Sequence, residues 1–501
     1  MATATLPFDD QLLPSVREVL NAPHNLVIDG ELVPSRTGKT FETIDPATGI
    51  AHAEVAEADA GDVDLAVQAA KRALEGPWSK LLPIEREALL MRFAELVEQN
   101  AAQLAQLDSL DSGKPAHQIE AIDVALAVAQ LRYFAGWPTK IEGQTFPASV
   151  PGVHVYSRRE PIGVVGAIVP WNFPLCQACF KLAPALAAGC TVVLKPAEQT
   201  PLSGIRLGEL ALEAGLPAGV VNVVQGYGET TGTALVDHPD VAKIAFTGSE
   251  AVGKLIMARC APTLKHVSME LGGKNPNVVF ADADLELAAA TAAAAVFFYS
   301  GQLCSAGSRL MVQRDVHDQV VEIVVDEARK LQMGPGLDAT TTLGPLVSDE
   351  QLKRVSGYVE QSVGDGADVA TGGKRAGGAL SNGFFHEPTV LVDVPDDMTV
   401  AQEEIFGPVV VTQPFDDVEE LARRANNTPM GLAAGVWTRD VNKAHAVAAA
   451  IKAGTVWVNS YNLFDATVPW GGFKHSGHGR DGGREGIEKF LQTKAVWMQY
   501  E

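Results

Sequence analysis

Cysteine is scarce in this chain of 501 residues, which contains Cys176, Cys179, Cys190, Cys260 and Cys304. An odd number of cysteines at irregular spacing does not suit a disulfide framework, so a reducing, cytoplasmic compartment is expected. Cys176 and Cys179 form a C-x-x-C, as a redox pair or half of a zinc site would. Because no second such pair and no suitably spaced histidine pair accompanies it, a buried helix is the better interpretation, and no metal is expected.

Positive charge is also in short supply, with 39 Lys and Arg against 61 Asp and Glu and a formal net charge of −22. Binding to nucleic acid or to an anionic membrane depends on basic side chains that neutralise phosphate, so neither partner is expected. The acidity is typical instead of a surface that favours solubility.

Long uninterrupted hydrophobic runs are absent as well. The longest apolar stretch, residues 163–194, is interrupted by Pro170, Asn172, Pro174, Lys181 and Pro184. A membrane span needs about 20 consecutive apolar residues, so this stretch predicts buried sheet and helix. Residues 1–15 carry Asp9 and Asp10 but neither an arginine cluster nor an apolar core, so no targeting segment is expected there.

What the chain does have is a regular alternation of strand and helix patterns between Ile162 and Leu271. The strand candidates are the apolar runs 163–169, 191–194, 220–224, 243–246 and 266–271. Helical patterns lie between them at 175–186, 201–213, 230–237 and 251–260, and earlier in the chain at 62–73 and 83–106. Apolar strands separated by helices predict a parallel, doubly wound α/β sheet that binds ligands at the carboxyl ends of its strands.

Polar or glycine-rich loops follow four of these strands, at the same predicted edge of the sheet. They are Pro170-Trp171-Asn172-Phe173-Pro174, Lys195-Pro196-Ala197-Glu198, Gly226-Tyr227-Gly228 with Gly232, and Phe246-Thr247-Gly248-Ser249. The third is one residue away from the usual dinucleotide fingerprint and is weak evidence alone. A carboxylate at Glu198 would accept hydrogen bonds from ribose hydroxyls and repel a 2′-phosphate, which favours NAD over NADP. The helix that Ser249 opens could bind a pyrophosphate at its amides.

Two further segments carry reactive groups. Cys304 stands in Phe297-Phe298-Tyr299-Ser300-Gly301-Gln302-Leu303-Cys304-Ser305, and Glu270 in Met269-Glu270-Leu271-Gly272-Gly273-Lys274. A thiol nucleophile with a carboxylate base is the minimum apparatus for making and hydrolysing a thioester. A lone cysteine is more often a small buried hydrophobe. The pair gains weight because a dinucleotide-binding pattern precedes it.

Six motifs stand in one order along the chain. They are Pro170-Trp171-Asn172-Phe173-Pro174, Lys195-Pro196-Ala197-Glu198, Phe246-Thr247-Gly248-Ser249, Glu270-Leu271-Gly272-Gly273-Lys274, Gly301-Gln302-Leu303-Cys304 and Glu404-Ile405-Phe406-Gly407-Pro408. In this order they resemble the aldehyde dehydrogenase superfamily over nearly the whole chain. The resemblance implies NAD-dependent oxidation of an aldehyde to its acid through a thiohemiacetal and a thioester.

The resemblance also assigns roles to residues. It implies that Cys304 is the nucleophile, Glu270 the general base, Asn172 the oxyanion donor, and that Lys181 lies near a proton-relay path. The NAD site would be formed by Ile168, Trp171, Lys195, Glu198, Phe246, Gly248, Ser249, Val252, Glu270, Leu271, Gly272, Gln351, Glu404 and Phe406. The substrate tunnel would be lined by Phe173, Phe180, Phe298, Leu303, Phe464 and Trp470.

Three positions depart from the family pattern. Tyr299 stands where many members have Asn, Asp481 where Glu is common, and Gln492 where an acid is frequent near the carboxyl terminus. None of them is one of the three residues expected to do the chemistry. They are expected to affect the proton relay, the tuning of activity and the assembly of subunits.

The substrate is suggested by the aromatic tunnel, which suits aryl or other apolar aldehydes. Residues 458–466 and Gly479-Arg480-Asp481 look similar to phenylacetaldehyde dehydrogenases. Aliphatic or broad specificity is the alternative. A CoA-acylating enzyme would commonly lack the glutamate present at Glu270, and a silent structural protein on this fold would lack the nucleophile. An esterase or redox-sensor role for Cys304 would show itself by independence from NAD.

The family fold implies interleaved domains. Residues 1–138 and 161–273 would form the NAD-binding domain, 274–472 the catalytic α/β domain, and 139–160 with 484–501 a small β oligomerisation element. The predicted strand at 494–500 would be an exposed edge unless another subunit paired with it. We therefore expect a homo-oligomer, with a tetramer favoured over a dimer.

Overall fold

The helices and strands are taken from a computed structural model that describes residues 9–500. Residues 1–8, part of the segment in which the sequence predicts no targeting signal, lie outside the described residues, as does Glu501. The helices are α1 (Pro14–Asn21), α2 (Ala60–Glu75), α3 (Pro77–Lys80), α4 (Pro83–Gln99), α5 (Ala101–Ser112), α6 (Ala116–Gln118), α7 (Ala125–Ala135), α8 (Pro174–Ala188), α9 (Leu202–Glu213), α10 (Thr233–Asp237), α11 (Glu250–Cys260), α12 (Leu285–Phe297), α13 (His317–Lys330), α14 (Asp349–Gly364), α15 (Thr399–Gln402), α16 (Val418–Ala425), α17 (Val441–Ala450) and α18 (Gly483–Glu488). Wider π-helical turns occupy Ile119–Val124 and Gly228–Gly232, and a tight turn occupies Phe298–Gly301.

The strands are short and lie mostly between helices. They are β1 (Leu26–Ile28), β2 (Glu31–Val33), β3 (Thr40–Asp45), β4 (Ile50–Ala56), β5 (Thr145–Phe146), β6 (Val153–Pro161), β7 (Val164–Ile168), β8 (Thr191–Lys195), β9 (Val221–Val223), β10 (Val241–Thr247), β11 (His266–Glu270), β12 (Pro276–Val279), β13 (Arg309–Gln313), β14 (Asp368–Thr371), β15 (Thr389–Val392), β16 (Val409–Phe415), β17 (Met430–Gly431), β18 (Ala433–Trp437), β19 (Thr455–Val458), β20 (Phe473–Lys474), β21 (Gly477–His478) and β22 (Leu491–Gln499).

The first large sheet has the order β2-β1-β9-β8-β7-β10-β11-β21. Its central strands β9, β8, β7, β10 and β11 run parallel, and β21 closes one side antiparallel to β11. Strands β7 and β8 are buried at every position, which explains why they are uninterrupted apolar runs in the sequence. Because the five strands are parallel, the loops after them meet at one edge of the sheet.

The second large sheet has the order β14-β15-β16-β13-β12-β18-β19 and is parallel except for β14. The turn that carries Cys304 lies between α12 and β13, and Glu404 precedes β16. Since β13 and β16 are neighbours, the segments entering them also lie side by side. The two large sheets and the helices that cover them give the mixed α/β fold expected for the family.

A separate three-stranded sheet has the order β22-β6-β5. Strand β22 pairs antiparallel with β6 along its whole length, from Leu491 opposite Pro161 to Gln499 opposite Val153. The other side of β22 is an edge, and large apolar side chains such as Trp497 and Met498 are more than half exposed there. The predicted carboxyl-terminal strand is confirmed and begins three residues earlier than expected, at Leu491.

The predicted alternation between Ile162 and Leu271 is confirmed, with most element ends shifted by one to three residues. One expectation about the helices was wrong: the pattern at 83–106 is not a single helix. Asn100 separates α4 from α5, and its side chain donates to the carbonyl of Leu96, which ends the first helix. Among the helices of residues 9–500, none is long and apolar enough to cross a membrane.

Candidate active site

A cavity of about 270 Å³, here called the central cavity, opens at the carboxyl ends of β10 and β11. The tight turn before β13 and the segment before β16 face it from the second sheet. Its lining residues are Pro170, Trp171, Asn172, Gln177, Thr247, Gly248, Ser249, Glu270, Leu271, Gly272, Cys304, Glu350, Gln351, Arg354, Glu404, Phe406, Leu432 and Trp470. The structure thus brings Cys304, Glu270 and Asn172 together in one cavity, although they are far apart in the sequence.

The turn that presents Cys304 is held by side chains from several elements. Asn275 donates to the carbonyl oxygens of Cys304 (2.8 Å) and Ala306 (3.0 Å). Ser300 donates to Gly344 O at 2.6 Å. Gly301, at φ +70°, lies so close to the segment before β16 that a side chain there would be about 2.0 Å from the Gly407 carbonyl. Only glycine fits this approach, so the turn has little freedom to move.

Asn172 lies between β7 and α8 and is nearly buried, with 7% of its surface exposed. Its Nδ2 donates to the Gln302 carbonyl at 2.9 Å. An amide nitrogen carries two hydrogens, so the second remains for a group bound in the central cavity. Gln302 is itself fixed, because its Oε1 accepts from Val347 N at 2.9 Å.

Glu270 ends β11 and is buried in the wall of the central cavity. Within residues 9–500, neither of its carboxyl oxygens has a hydrogen-bond partner. Burial, together with the negative charge of Asp481, raises the pKa of Glu270 well above its ordinary value. A buried carboxyl group without partners is poised to bind a water molecule or to exchange a proton.

Cys304 is partly exposed at the cavity, whereas the other four cysteines are buried; all five are free thiols. Desolvation and the nearby Glu404 and Glu270 raise the pKa of the Cys304 thiol to about 12. The thiol therefore rests in its neutral form at neutral pH. Cys176 and Cys179 lie in α8 with pKa values raised by burial, as the buried-helix interpretation expects.

The opposite side of the central cavity is organised around Glu404. Its Oε1 accepts from Gly273 N at 3.1 Å, and burial raises its pKa to about 7. A side chain at Gly272 would come within about 2.0 Å of the Glu404 carboxylate and would displace it from this position. Phe406 packs edge to face on Trp171, with ring centroids 5.1 Å apart, and Gln351 donates to the Phe406 carbonyl at 2.7 Å.

Several residues expected to bind NAD lie outside the lining of the central cavity. Lys195 is buried and donates to Pro196 O (2.8 Å) and Glu198 Oε2 (3.4 Å). Glu198 lines a separate shallow cavity beside Tyr227. Ser249 caps α11 by accepting from Val252 N. Ile168, Phe246 and Val252 do not line the central cavity; the first two are buried beneath it and Val252 is 44% exposed.

Two further cavities adjoin each other, and the second of them shares a residue with the central cavity. The first side cavity, about 420 Å³, is lined by Phe173, Phe298, Leu303, Phe464 and other apolar residues. The second side cavity, about 360 Å³, is lined by Phe180, Phe464 and Trp470, with Gln130 and Asp481 among its polar residues. Phe464 faces both side cavities, and Trp470 lines both the second side cavity and the central cavity. The six residues predicted for a substrate tunnel are therefore shared between adjoining cavities.

The match to a family model covers residues 32–496, almost the whole chain, and that model describes the aldehyde dehydrogenase family. The chain belongs to the aldehyde dehydrogenase family. It is an oxidoreductase that acts on aldehydes.

Related proteins share both the length and the fold of this aldehyde dehydrogenase. The NAD+ complex of an aldehyde dehydrogenase from Bacillus cereus is 49% identical, with a TM-score of 0.96 over 98% of this chain and 99% of that one. The indole-3-acetaldehyde dehydrogenase AldA of P. syringae, solved with NAD+ and IAA, is 43% identical, with a TM-score of 0.93 over 96% and 98% of the two chains. A mitochondrial benzaldehyde dehydrogenase of Antirrhinum majus is 46% identical over 94% of this chain and 88% of its own.

Lys181 of this aldehyde dehydrogenase lies outside the lining of the central cavity and pairs with a residue far along the chain. Its Nζ donates to Asp481 Oδ2 at 2.6 Å, and Lys489 donates to Asp481 Oδ1. Burial opposes ionisation of Asp481, but the two lysines outweigh it and bring the pKa to about 2. Asp481, a departure from the family pattern, is thus a carboxylate held between two cations.

Sequence reasoning missed several residues around this site. Lys489 contacts Asp481, while Lys114 and Asp123 contact the turn that carries Cys304. Nothing in the local sequence marks them, because each is an ordinary charged residue in a helical stretch or loop. Within residues 9–500, no group of three or more His, Cys, Asp or Glu side chains is arranged to hold a metal ion.

Proposed function

We propose that this aldehyde dehydrogenase oxidises an aryl or other apolar aldehyde such as phenylacetaldehyde to its carboxylic acid, with NAD as the cofactor. The observation that carries the proposal is the convergence of Cys304, Glu270 and Asn172 in one cavity. That cavity is bounded by Glu404 and shares Trp470 with the second side cavity, which Phe180 and Phe464 also line. The groups needed for attack, charge stabilisation and hydrolysis therefore share one space.

Cys304 is the proposed nucleophile. A carbonyl does not release hydride until a nucleophile adds to it, and the Cys304 thiolate would add to give a thiohemiacetal. The Asn172 amide hydrogen not used by Gln302, and the Cys304 backbone N–H, would donate to the oxyanion formed. Each such donor is worth roughly 3–4 kcal/mol in comparable sites.

Glu270 is the proposed general base for the second half of the reaction. After oxidation the acyl group is a thioester on Cys304, and water must attack it. The unpartnered oxygens of Glu270 supply an acceptor for a proton of that water. Lys181 and Asp481 are the proposed continuation of the proton path, since they form a buried ion pair whose Asp481 charge acts on Glu270.

The residues around Glu404 fit NAD. Glu404 offers a carboxylate for ribose hydroxyls, and the amino-terminal end of α11, next to Gly248 and Ser249, offers amides to a pyrophosphate. Glu198 beside Lys195 adds a carboxylate that would repel a 2′-phosphate, which supports NAD over NADP. When bound, NAD supplies the acceptor for the hydride. Trp171 and Phe406, which form an edge-to-face pair in the lining of the central cavity, would orient it.

An aryl substrate is supported by the rings of the side cavities. Phe464 and Trp470 pack edge to face, with centroids 4.8 Å apart, and Phe173 and Phe298 line the neighbouring space. Ring faces and edges of this kind stack on an aromatic substrate. Two relatives, an indole-3-acetaldehyde dehydrogenase and a benzaldehyde dehydrogenase, are also named for aromatic aldehydes.

The assembly and location of the enzyme are part of the same proposal. We infer an NAD-binding domain of residues 1–138 and 161–273, a catalytic domain of 274–472, and an oligomerisation element of 139–160 and 484–501. The exposed edge and apolar side chains of β22 support assembly into a homo-oligomer, with a tetramer favoured. The free thiols support a reducing, cytoplasmic location.

The test is the initial rate of reduced-nicotinamide formation with phenylacetaldehyde, compared with propanal, using NAD and NADP in parallel. We expect a higher kcat/KM for phenylacetaldehyde with NAD, and no turnover by Cys304→Ala. Cys260→Ala, which removes a buried thiol at the end of α11, is the matched control and should keep full activity. A preference for propanal would keep the mechanism and overturn the aryl assignment.

A further inference from the structure

The turn that leads to Cys304 contains two consecutive residues in the left-handed region of backbone space. Tyr299 has φ 49° and ψ 37°, and Ser300 has φ 57° and ψ 32°. For residues other than glycine this conformation costs about 1–3 kcal/mol each and persists only where surrounding contacts impose it. Contacts from outside the turn, and not the backbone preferences of Tyr299 and Ser300, therefore hold this conformation.

A buried polar cluster of Lys114, Asp123 and Tyr299 supplies that contact. The Tyr299 hydroxyl donates to Asp123 Oδ1 at 2.8 Å, and Lys114 Nζ donates to Asp123 Oδ2. All three side chains are buried, and the pair Tyr299 and Asp123 is 176 residues apart in sequence. Burial raises the pKa of Tyr299 well above its ordinary value, so the phenol remains a donor.

The Lys114–Asp123–Tyr299 cluster also touches the aromatic wall of the first side cavity. Lys114 Nζ lies 4.3 Å from the ring centroids of both Phe173 and Tyr299. Phe298 stacks on Tyr299 with centroids 3.8 Å apart, and Phe173 packs on Tyr299 edge to face at 5.4 Å. Phe173 and Phe298 both line the first side cavity. The Lys114 ammonium group contacts the rings of Phe173 and Tyr299, and the Phe298 ring stacks on Tyr299. Together these contacts hold the three rings in place.

A second chain of contacts runs from Tyr299 to the oxyanion donor. Gln302 Nε2 donates to the Tyr299 carbonyl at 3.3 Å, and the Gln302 carbonyl accepts from Asn172 Nδ2 at 2.9 Å. A displacement of Tyr299 would therefore move the backbone that Asn172 contacts. The same displacement would change the direction in which the next few residues present Cys304.

We propose that Tyr299, anchored by Asp123 and Lys114, is a positioning residue that holds the Cys304 turn and the ring wall of the first side cavity. It touches neither the reacting atoms nor the cofactor and acts through Cys304, Asn172, Phe173 and Phe298. Its role in turn geometry is independent of the substrate. Its role in favouring ring-bearing aldehydes rests on the proposed function.

The test is Tyr299→Phe, which keeps the ring and removes only the hydroxyl that binds Asp123. Two readouts are needed: the rate at which iodoacetamide alkylates Cys304 without cofactor or substrate, and kcat/KM for phenylacetaldehyde and propanal. We expect the alkylation rate to change at least threefold. We expect kcat/KM for phenylacetaldehyde to fall about 10- to 100-fold, since misplacement near 1 Å can cost that much, and the phenylacetaldehyde-to-propanal ratio to fall at least fivefold.

Thr412→Val is the matched control, because it also removes a buried hydroxyl, one that contacts His317 in the second sheet. It should lower stability without changing the alkylation rate or the substrate ratio. If Tyr299→Phe, like Thr412→Val, leaves both the alkylation rate and the substrate ratio unchanged, the positioning role is wrong. A changed alkylation rate with an unchanged phenylacetaldehyde-to-propanal ratio would support the role of Tyr299 in positioning the Cys304 turn. It would overturn the role of Tyr299 in positioning the ring wall.

Should Tyr299→Phe give no folded protein, Asp123→Asn provides the second variant. It keeps an acceptor oxygen for Tyr299 but replaces a charge-assisted hydrogen bond by a weaker neutral one. We expect the same direction of change in both readouts, about two- to fivefold in size. The alkylation readout needs no aldehyde, so it tests the turn even if the wild-type enzyme prefers propanal. Unchanged alkylation in Asp123→Asn would count against the proposal.

Discussion

Burial raises the pKa of the Cys304 thiol to about 12 and raises the pKa of Glu270 well above its ordinary value. A protonated thiol is a weak nucleophile, and a protonated carboxyl group cannot accept a proton from water. The two groups lie in one cavity, so loss of either proton leaves a charge that opposes loss of the other. The reactivity of the site is therefore expected to increase as these groups lose their protons.

The alkylation rate of Cys304 is therefore predicted to rise with pH. Well below a pKa of about 12 the thiolate fraction grows about tenfold per pH unit, so alkylation by iodoacetamide should grow likewise between pH 7 and 9. The measurement is the second-order alkylation rate of the enzyme without cofactor, with Cys304→Ala as the blank. A rate that is level above pH 7 would mean that the thiol is already ionised and would contradict the expected pKa direction.

Replacing Glu270 should separate the two halves of the reaction. In Glu270→Gln the amide keeps the size of the side chain but cannot take a proton from water, so the thioester should accumulate. We expect a first turnover that forms about one reduced nicotinamide per site, followed by a steady state slower by about 10²- to 10⁴-fold. Rapid-mixing absorbance measures both phases. Loss of the first turnover as well would assign Glu270 to activation of Cys304.

At the scale of elements, the large sheets could be predicted from the sequence and the charged contacts between elements could not. Strands β7 and β8 are buried throughout, so burial leaves an apolar run that the sequence displays directly. Cys304, Glu270 and Asn172 were recognisable because each stands in a motif at the end of a strand or helix. Lys114, Asp123 and Lys489 were not, because their partners are supplied by the tertiary fold.

The break at Asn100 shows the same limit on a smaller scale. The helical pattern continues across it, since α4 and α5 both bury apolar faces such as those of Phe93 and Leu104. Only the capping contact from Asn100 to Leu96 separates the helices. Periodicity reports which face is buried, and it does not report where the axis changes direction.

The contact between Asp481 and Lys489, which lie just before and just after α18, leads to a stability prediction. Lys489→Met removes one of the two lysines that neutralise Asp481 while keeping most of the buried side-chain length. We expect the free energy of unfolding to fall by about 1–3 kcal/mol, because Asp481 loses a charged hydrogen bond but keeps Lys181. Chemical denaturation measures the change. Lys330→Met breaks an exposed ion pair with Glu327 and should change stability by less than about 0.5 kcal/mol.

The same variant should also be more sensitive to acid. The low pKa of Asp481 means that its ion pairs stabilise the fold above its ordinary pKa, and that this stability is lost as pH falls toward 2. Without Lys489 the pKa of Asp481 rises, so less of this stability is present near neutral pH and its loss is complete at a higher pH. An acid-unfolding midpoint equal to that of the wild type would show that Lys181 alone holds Asp481 ionised.

At the scale of the whole molecule, the three-stranded sheet β22-β6-β5 stands out because β22 is an exposed edge strand. Strand β22 leaves one edge unpaired, with Trp497 59% exposed and Tyr500 67% exposed. Natural proteins cover or charge such edges, and a second subunit is the simplest cover for an apolar one. We infer that this sheet is where subunits associate.

Sedimentation of the wild-type protein should therefore give a mass near four times the 52.9 kDa of one chain. Trp497→Lys places a charge on the exposed face of β22 and should shift the population to smaller species. Val441→Lys is the control, since Val441 is 65% exposed on α17, away from this sheet. A monomeric wild type, or equal assembly in both variants, would remove β22 from the proposed interface.

The position of β21 beside β11 has a consequence for how the enzyme is made. Glu270 ends a strand whose outer neighbour, β21, contains Gly477, so the wall around the proposed base is completed about 200 residues after Glu270 itself is made. Lys181 is likewise made before its partner Asp481, which follows it by 300 residues. A ribosome must therefore release residues up to Asp481 before these contacts form. Until then β11 is an open edge that a chaperone could shield, and a message truncated before the codon of Gly477 would yield a protein without a finished catalytic wall.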